Sequence, residues 1–345
     1  MSEKIVLVGN NVRNVAESAR KAGYKVVAVT KYDDADLELY CDEVFLFNSQ
    51  KDAEKIANDV AQKYNAKVAL CSGCELLKVK ADLISNEPRK VERIVDKLKF
   101  YKTLENTGIP YPELLSDATN EKAILKPRFG GGGENIEFSY IKKEGFILQR
   151  YIEGIPCSVS LIVGKEIVPI ASNLILSGWK EVYSSGFRYS GNVTPFLNNA
   201  VEEMEKIAIE TVAIFDLVGS IGVDFVLADK PYVLEINPRF QGSLDSVEWC
   251  CDVNVFELHM KSLENQRIER PKYKRFAARA ILFAPCDIKI NASPFGNAFF
   301  ADVPKLGCRY QKGEPVVSLL ASGYDWKEKI IERRDLFLNS FTAFV

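Results

Sequence analysis

One histidine, His259, stands among 345 residues. That scarcity argues against Ser–His and Cys–His nucleophilic catalysis and against poly-His zinc sites, which need imidazole beside a nucleophile or around a metal. Long apolar runs are missing too, and no stretch approaches the roughly 18 residues of a membrane-spanning helix. The N-terminal MSEKIVLVGNN has no signal-peptide h-region before a cleavage site. Neither sign of charge dominates: a formal net charge of −2 provides no electrostatic reason to bind nucleic acid or an anionic membrane. A cytoplasmic chain with neither of those partners is expected. Eight cysteines without a secretion signal do not predict a disulfide framework. Cys71-Ser72-Gly73-Cys74 has CxxC spacing but stands alone, and zinc would need two more ligands. It reads as a loop closing a strand over 68–70.

With 47% hydrophobic and 27% charged residues the composition is that of a soluble globular protein, long enough for two or three domains. KIVLV at 4–8, a helical pattern through Val12, Val15, Ala16 and Ala19, a strand over 25–30, a helix over 52–64 and a strand over 66–71 alternate as in a parallel, Rossmann-like sheet. Gly9 is followed by Asn10, Asn11 and Val12, so the GxGxxG dinucleotide fingerprint is absent. Residues 88–108 read as a basic helical connector, with Pro88 near its start and Gly108 just past its end. Extended segments follow at 123–126, 135–138, 146–149 and 158–163; helices are predicted over 200–216 and 254–264, and short strands and turns beyond 268.

Two segments carry the chemistry. The first, GVDFVLADKPYVLEINPRF at 222–240, reads as a hairpin. If its Asp229-Lys230 turn is symmetric, Ala228 pairs with Pro231 and Asp224 falls opposite Glu235, with Cβ atoms roughly 4.5–5.5 Å apart. Glu235, Asn237 and Arg239 then share one face, and Leu234 and Ile236 the other. Paired carboxylates in an apolar hairpin repel each other unless protonated or bridged by a cation, and oxygen ligands of this kind suit Mg²⁺. Arg239 adds a permanent charge for a phosphoryl or carboxylate group. The second, PRFGGGG at 127–133, places four successive glycines, Gly130, Gly131, Gly132 and Gly133, between β-type runs. Such a loop lets backbone N–H groups approach an anion or close as a lid, and Lys126 stands just before it. GxxxxGK[ST] is absent, so this is not a Walker A loop.

With these motifs the chain resembles the ATP-grasp superfamily, which includes biotin carboxylase and D-alanine–D-alanine ligase, and most closely archaeal proteins described as predicted ATP-dependent carboligases. Asp96-Lys97 with GIPYP at 108–112, ILKPRFGGGGENI, LQRYIEGIPCSVS at 148–160 and the hairpin follow the family order, and the likeness extends to about residue 260. The fold implied is α/β and α+β. It comprises a Rossmann-like pre-ATP-grasp domain (1–87), a linker helix (88–108), a glycine-lid subdomain (109–152), a large antiparallel-sheet subdomain (153–267) and a small β-rich C-terminal cap (268–345). The resemblance implies ATP bound by Lys97, Lys126 and the glycine loop, with adenine among Gln149, Arg150, Tyr151 and Ile152. It implies Mg²⁺, with Mn²⁺ as a substitute, on Asp224, Glu235 and Asn237, and Arg239 and Lys126 as catalytic residues. Pro156 stands where several relatives carry a ribose-binding glutamate, and Asp224 follows the D-alanine ligase pattern where biotin carboxylase has Glu. The activity expected is ADP-forming ligation: a small-molecule carboxylate is activated as an acyl phosphate and attacked by an amine. Arg13, Glu75, Arg188 and Gln241 are the candidate acceptor contacts. A carboxylase acting through carboxyphosphate and a non-catalytic ATP-binding regulator are the alternatives. Dimers are common in the superfamily, so a homodimer is one expected state.

Overall fold

The computed structural model describes residues 3–344. Its N-terminal domain runs β1 (Lys4–Gly9), α1 (Arg13–Lys21), β2 (Lys25–Thr30), β3 (Glu43–Leu46), α2 (Gln50–Tyr64) and β4 (Lys67–Leu70). The four strands form a parallel sheet in the order β3-β2-β1-β4. Alternate β1 residues serve opposite cores: Ile5 and Leu7 pack with α1, Val6 and Val8 with α2. Burial on both faces explains why the strand reads as one unbroken apolar run. Edge strand β3, EVFL, is only partly buried, and its weak pattern kept it out of the sequence-based expectation.

The connector is two helices instead of one, α3 (Pro88–Val95) and α4 (Lys97–Leu104). Asp96 interrupts them with an extended backbone, φ −82° and ψ 96°, and caps α4 by accepting from the Leu98 and Lys99 amides at 3.2 and 3.4 Å. Its buried carboxylate also accepts from Arg128 Nε and Nη2, both at 2.7 Å. This tie fixes the helix start that carries Lys97 to the root of the glycine loop. The loop belongs to a small antiparallel sheet of β5 (Ala123–Pro127), β6 (Glu137–Phe138) and β7 (Phe146–Arg150), in the order β6-β5-β7.

The large sheet starts with β8 (Ile155–Val163), β9 (Ile167–Ser177) and β10 (Tyr189–Thr194). Helix α5 (Val201–Ala213) leads into β11 (Gly219–Leu227) and β12 (Pro231–Asn237), followed by α6 (Leu244–Cys251) and α7 (Val255–Leu263). The C-terminal part supplies β13 (Ala277–Phe283), β14 (Ile288–Ile290), β15 (Phe300–Ala301), β16 (Arg309–Tyr310), β17 (Pro315–Ser322), α8 (Trp326–Phe341) and β18 (Thr342–Phe344). It is β-rich, yet three of its strands prolong the large sheet, whose antiparallel order is β12-β11-β8-β9-β10-β13-β17-β15. β14, β16 and β18 form a separate small sheet. The sequence pattern had not shown α8, because its 16 residues bury only Ile330, Phe337 and Leu338 and offer a sparse apolar stripe. No described helix is long and apolar enough to cross a membrane.

A buried charge network fastens the N-terminal domain to this sheet. Arg13, wholly buried, donates to Asp245 at 3.0 and 2.7 Å, to Asp302 at 3.1 Å and to Glu17 at 2.8 Å. Arg279 donates to the other Asp302 oxygen at 2.7 Å, and Ser318 adds a hydroxyl bond to it. Asp36 accepts from the amides of Asp302 and Val303, each at 2.9 Å. Burial by itself would raise the Asp302 pKa, but Arg13 and Arg279 hold it well below the usual carboxylate range. Removing one partner of such a network strands the others. Arg13→Met should therefore lower stability by roughly 3–5 kcal/mol in denaturant unfolding, and an unchanged midpoint would show that the network carries no net stability.

The lone histidine is a second fastening. His259 Nδ1 accepts from the Ser220 amide at 2.9 Å, so Nε2 carries the proton and donates to the Ile84 carbonyl at 2.7 Å. Gly219, at φ +82°, has to be glycine, because a Cβ there would lie 2.3 Å from the imidazole. Burial pulls the His259 pKa down from 6.5 to about 4, against the opposing Ile84 hydrogen bond. The folded state keeps the ring neutral, so its stabilisation is complete above pH 6.5 and is lost as the pH falls toward 4. Relative to His259→Gln, the wild type should lose up to roughly 3 kcal/mol across that window; parallel pH profiles of unfolding would contradict this.

Candidate active site

Strands β11 and β12 bring Asp224 directly opposite Glu235, by a different route from the symmetric turn. The loop holds three residues, so Leu227, not Ala228, pairs with Pro231, and the ladder runs regularly to Phe225 opposite Val233. A bulge then shifts the register by one, leaving Leu234 unpaired and placing Asp224 opposite Glu235 and Gly222 opposite Asn237. The freed Leu234 carbonyl accepts from the buried Tyr101 hydroxyl of α4 at 2.6 Å. Core-facing residues are therefore Val233 and Ile236, three apart, where strict alternation predicted Leu234 and Ile236.

Four side chains form a line across the site. Glu75, on the loop after β4, accepts from Arg239 Nε at 2.8 Å; Arg239 Nη2 donates to Asn237 Oδ1 at 3.0 Å; Asn237 Nδ2 donates to Asp224 Oδ2 at 3.1 Å. Arg239 Nη1 also binds the Phe240 carbonyl at 2.9 Å. Burial, and after it the charge of Glu235, raises the Asp224 pKa well above its ordinary value despite the Asn237 bond. Among the described residues neither facing carboxylate has a direct ion-pair partner, which is the condition a divalent cation relieves, and Asn237 Oδ1 retains a second lone pair. Among the described residues no group of three or more His, Cys, Asp or Glu side chains clusters as a metal site, and the hairpin offers two carboxylates and the Asn237 amide.

Lys97 and Lys126 are both largely buried. Lys97 Nζ donates to the Gly130 carbonyl, and among the described residues Lys126 makes no side-chain hydrogen bond or ion pair. Burial lowers the Lys126 pKa to about 8; Glu235 opposes the shift and Lys97 adds to it. Two ammonium groups and the Glu235 carboxylate therefore share one electrostatic neighbourhood. The glycine loop lies over it, latched by the Tyr189 amide donating to the Gly132 carbonyl at 2.9 Å. Gly133, at φ +72°, approaches so closely that a Cβ would sit 1.9 Å from the Phe187 carbonyl oxygen. Along β7, Gln149 is fully buried; its Nε2 donates to the Pro112 carbonyl at 2.7 Å while its Oε1 has no partner among the described residues. Arg150 pairs with Glu113 and Glu121 at 2.9 and 2.8 Å. Half-buried Tyr151 stands edge-on to Phe138 and Phe187, and Ile152 beside it is half-buried.

Residues 94–243, which include both lysines and the hairpin, match the family model described as ATP-grasp domain. That stretch is an ATP-grasp domain. A Methanocaldococcus jannaschii protein, itself described as uncharacterized, is 29% identical over 92% of this chain and 88% of its own length. The tyramine–L-glutamate ligase of Methanocaldococcus fervens is 29% identical over 50% of this chain and 54% of that enzyme. Among solved structures, an L-amino acid ligase from Bacillus licheniformis superposes with a TM-score of 0.77, covering 100% of this chain and 99% of its own, at 14% identity. At that identity the likeness speaks for the fold alone, and the ATP-grasp fold is the one expected.

The candidate acceptor residues divide. Arg13 is corrected to a structural residue, since its burial and its bonds to Asp245, Asp302 and Glu17 leave it closed to a ligand. Arg188 donates to the Gly313 carbonyl at 2.7 Å and lines a cleft of about 310 Å³ with Gly133, Glu134 and Phe187. Gln241 is bound at the hairpin root by Ser220 Oγ, 3.4 Å away, and by the Arg239 carbonyl. Both CxxC thiols are buried, with Cys71 raised and Cys74 pushed up to about 12 by burial, so neither is a thiolate at neutral pH. Tyr101, Arg128 and Tyr189 escaped the sequence reading because their roles consist of contacts to backbone or to residues far along the chain. Asp224→Asn should stabilise the ligand-free protein by about 1 kcal/mol by removing a strained charge. A lowered melting temperature without Mg²⁺ would refute that account of the pair.

Proposed function

We propose that the protein is an ADP-forming ligase that joins a small-molecule carboxylate to an amine. The observation that carries this reading is the juxtaposition of two lysines lacking carboxylate partners with the face-to-face pair Asp224–Glu235 beneath a glycine lid. Lysines short of anions beside carboxylates short of cations suit a metal-bound polyphosphate. The relative named for joining tyramine to L-glutamate supports a carboxylate and an amine as the substrate pair.

Lys97 and Lys126 would neutralise phosphate oxygens, and the lid residues Gly130 to Gly133 would exclude water. Asp224, Glu235 and Asn237 would hold Mg²⁺, or Mn²⁺ in its place, whose charge offsets that of the β- and γ-phosphates. Arg239 directs its remaining donors at the transferred phosphoryl group. Adenine would lie along Gln149 to Ile152, against the half-buried Tyr151 and Ile152. A substrate carboxylate oxygen attacks the γ-phosphorus and ADP leaves; the amine nitrogen then attacks the acyl carbon, phosphate leaves, and the amine proton passes to a phosphate or carboxylate oxygen. His259 takes no part, being neutral and fully engaged. Arg188, at the lid-side cleft, is the best-placed acceptor contact.

Mg²⁺-dependent ADP and phosphate release should appear only when one carboxylate and one amine are supplied together from pooled amino acids, carboxylates and amines. Release with bicarbonate alone would overturn this in favour of a carboxylase. Glu235→Ala should release no ADP while keeping the wild-type circular dichroism spectrum; wild-type turnover in that variant would sink the metal assignment.

A further inference from the structure

Arg239 has five N–H donors. Among the described residues three are engaged, by Glu75, Phe240 and Asn237, which leaves two, one on each terminal nitrogen. Which way that free pair points depends on what holds Nε, and that group is the Glu75 carboxylate of the N-terminal domain. The pair is largely withdrawn from water, with both side chains 17% exposed, so it is stronger than a surface ion pair.

The loop that presents Glu75 is itself rigid. The Cys71 amide donates to the Val8 carbonyl at 2.7 Å, the Asn10 amide to the Ser72 carbonyl at 2.7 Å, and the Cys74 amide to the Cys71 carbonyl at 3.0 Å. Cys71 and Cys74, unreactive as thiols, plug the two cores on either side of the sheet. Their spacing thereby acquires a use as a pair of small apolar pegs under Glu75. Without that carboxylate, the anion left to the guanidinium is Asp224, which already senses its charge and is linked to it through Asn237. Arg239 would then turn inward and neutralise the pair that the metal needs.

We infer that Glu75 is a positioning residue: it restrains Arg239 from collapsing onto the hairpin carboxylates and aims its two free donors at the phosphoryl group. This rests on the proposed role of Arg239, so the test separates the two. Calorimetry on the full chain would measure binding of MgADP alone and of MgADP with aluminium fluoride, a non-reacting stand-in for the transferred phosphoryl group. Glu75→Ala should weaken MgADP binding and should also reduce the further affinity gained on adding aluminium fluoride by about 10- to 100-fold, with the circular dichroism spectrum unchanged. Glu75→Gln, which keeps an acceptor oxygen for Nε, should recover most of that loss, which a mere domain-docking role would not produce. A wild-type gain in Glu75→Ala, alongside a loss in Arg239→Ala, overturns the positioning role alone. No loss in Arg239→Ala overturns the reading of Arg239 and this inference with it. Should Glu75→Ala not fold, Glu75→Asp carries the same test, and a wild-type gain there likewise overturns the inference.

Discussion

Everything at the site depends on where the N-terminal domain sits, and that is decided by Arg13. Its guanidinium reaches from α1 to Asp245 on α6 and to Asp302 in the C-terminal part, and Arg279 completes the circuit from β13. Buried ion pairs contribute little net stability over an apolar packing of the same shape, but they tolerate only one docking geometry. An apolar seam would let the domain slide by a fraction of a residue. A bidentate guanidinium–carboxylate contact does not. The Glu75–Arg239 pair, at the same seam, needs that precision.

The site itself is assembled from groups that would be poor choices for stability alone. Like charges face each other across β11 and β12, and two ammonium groups share a largely buried neighbourhood. Such an arrangement persists because the surrounding elements over-determine it: Tyr101 and the core-facing Val233 and Ile236 fix the hairpin, and Asp96 and Arg128 fix the lysine-bearing helix start. Under the proposed function, a bound metal and polyphosphate would relieve that strain.

Local periodicity made much of this legible. The glycine-rich run and the polar residues of the hairpin stand within a few positions of each other. The facing of Asp224 and Glu235, by contrast, expected from a symmetric turn, holds because the three-residue loop and the bulge offset each other. What escaped were features set across long stretches of chain. Arg13 lies 232 residues from Asp245 and 289 from Asp302, so nothing near Arg13 announces that it is a structural hub instead of a substrate contact. The C-terminal strands join the large sheet because β13 pairs with β10, a choice of neighbour that alternation within AARAILF cannot encode. The connector broke in two because Asp96 serves as a cap and an arginine partner simultaneously, and only the second partner, Arg128, makes the break worthwhile.

The bulge at Leu234 means that the tip and the root of the hairpin keep different counts. Counted outward from the loop one residue at a time, the residue facing Asp224 would be Leu234; counted inward from Asn237, it is Glu235. Loop and site are therefore free to vary in length separately, with the single unpaired residue absorbing the difference. Comparisons of hairpins of this kind are best anchored at the amide-bearing end, where the spacing of the polar residues is set by the ladder and not by the loop.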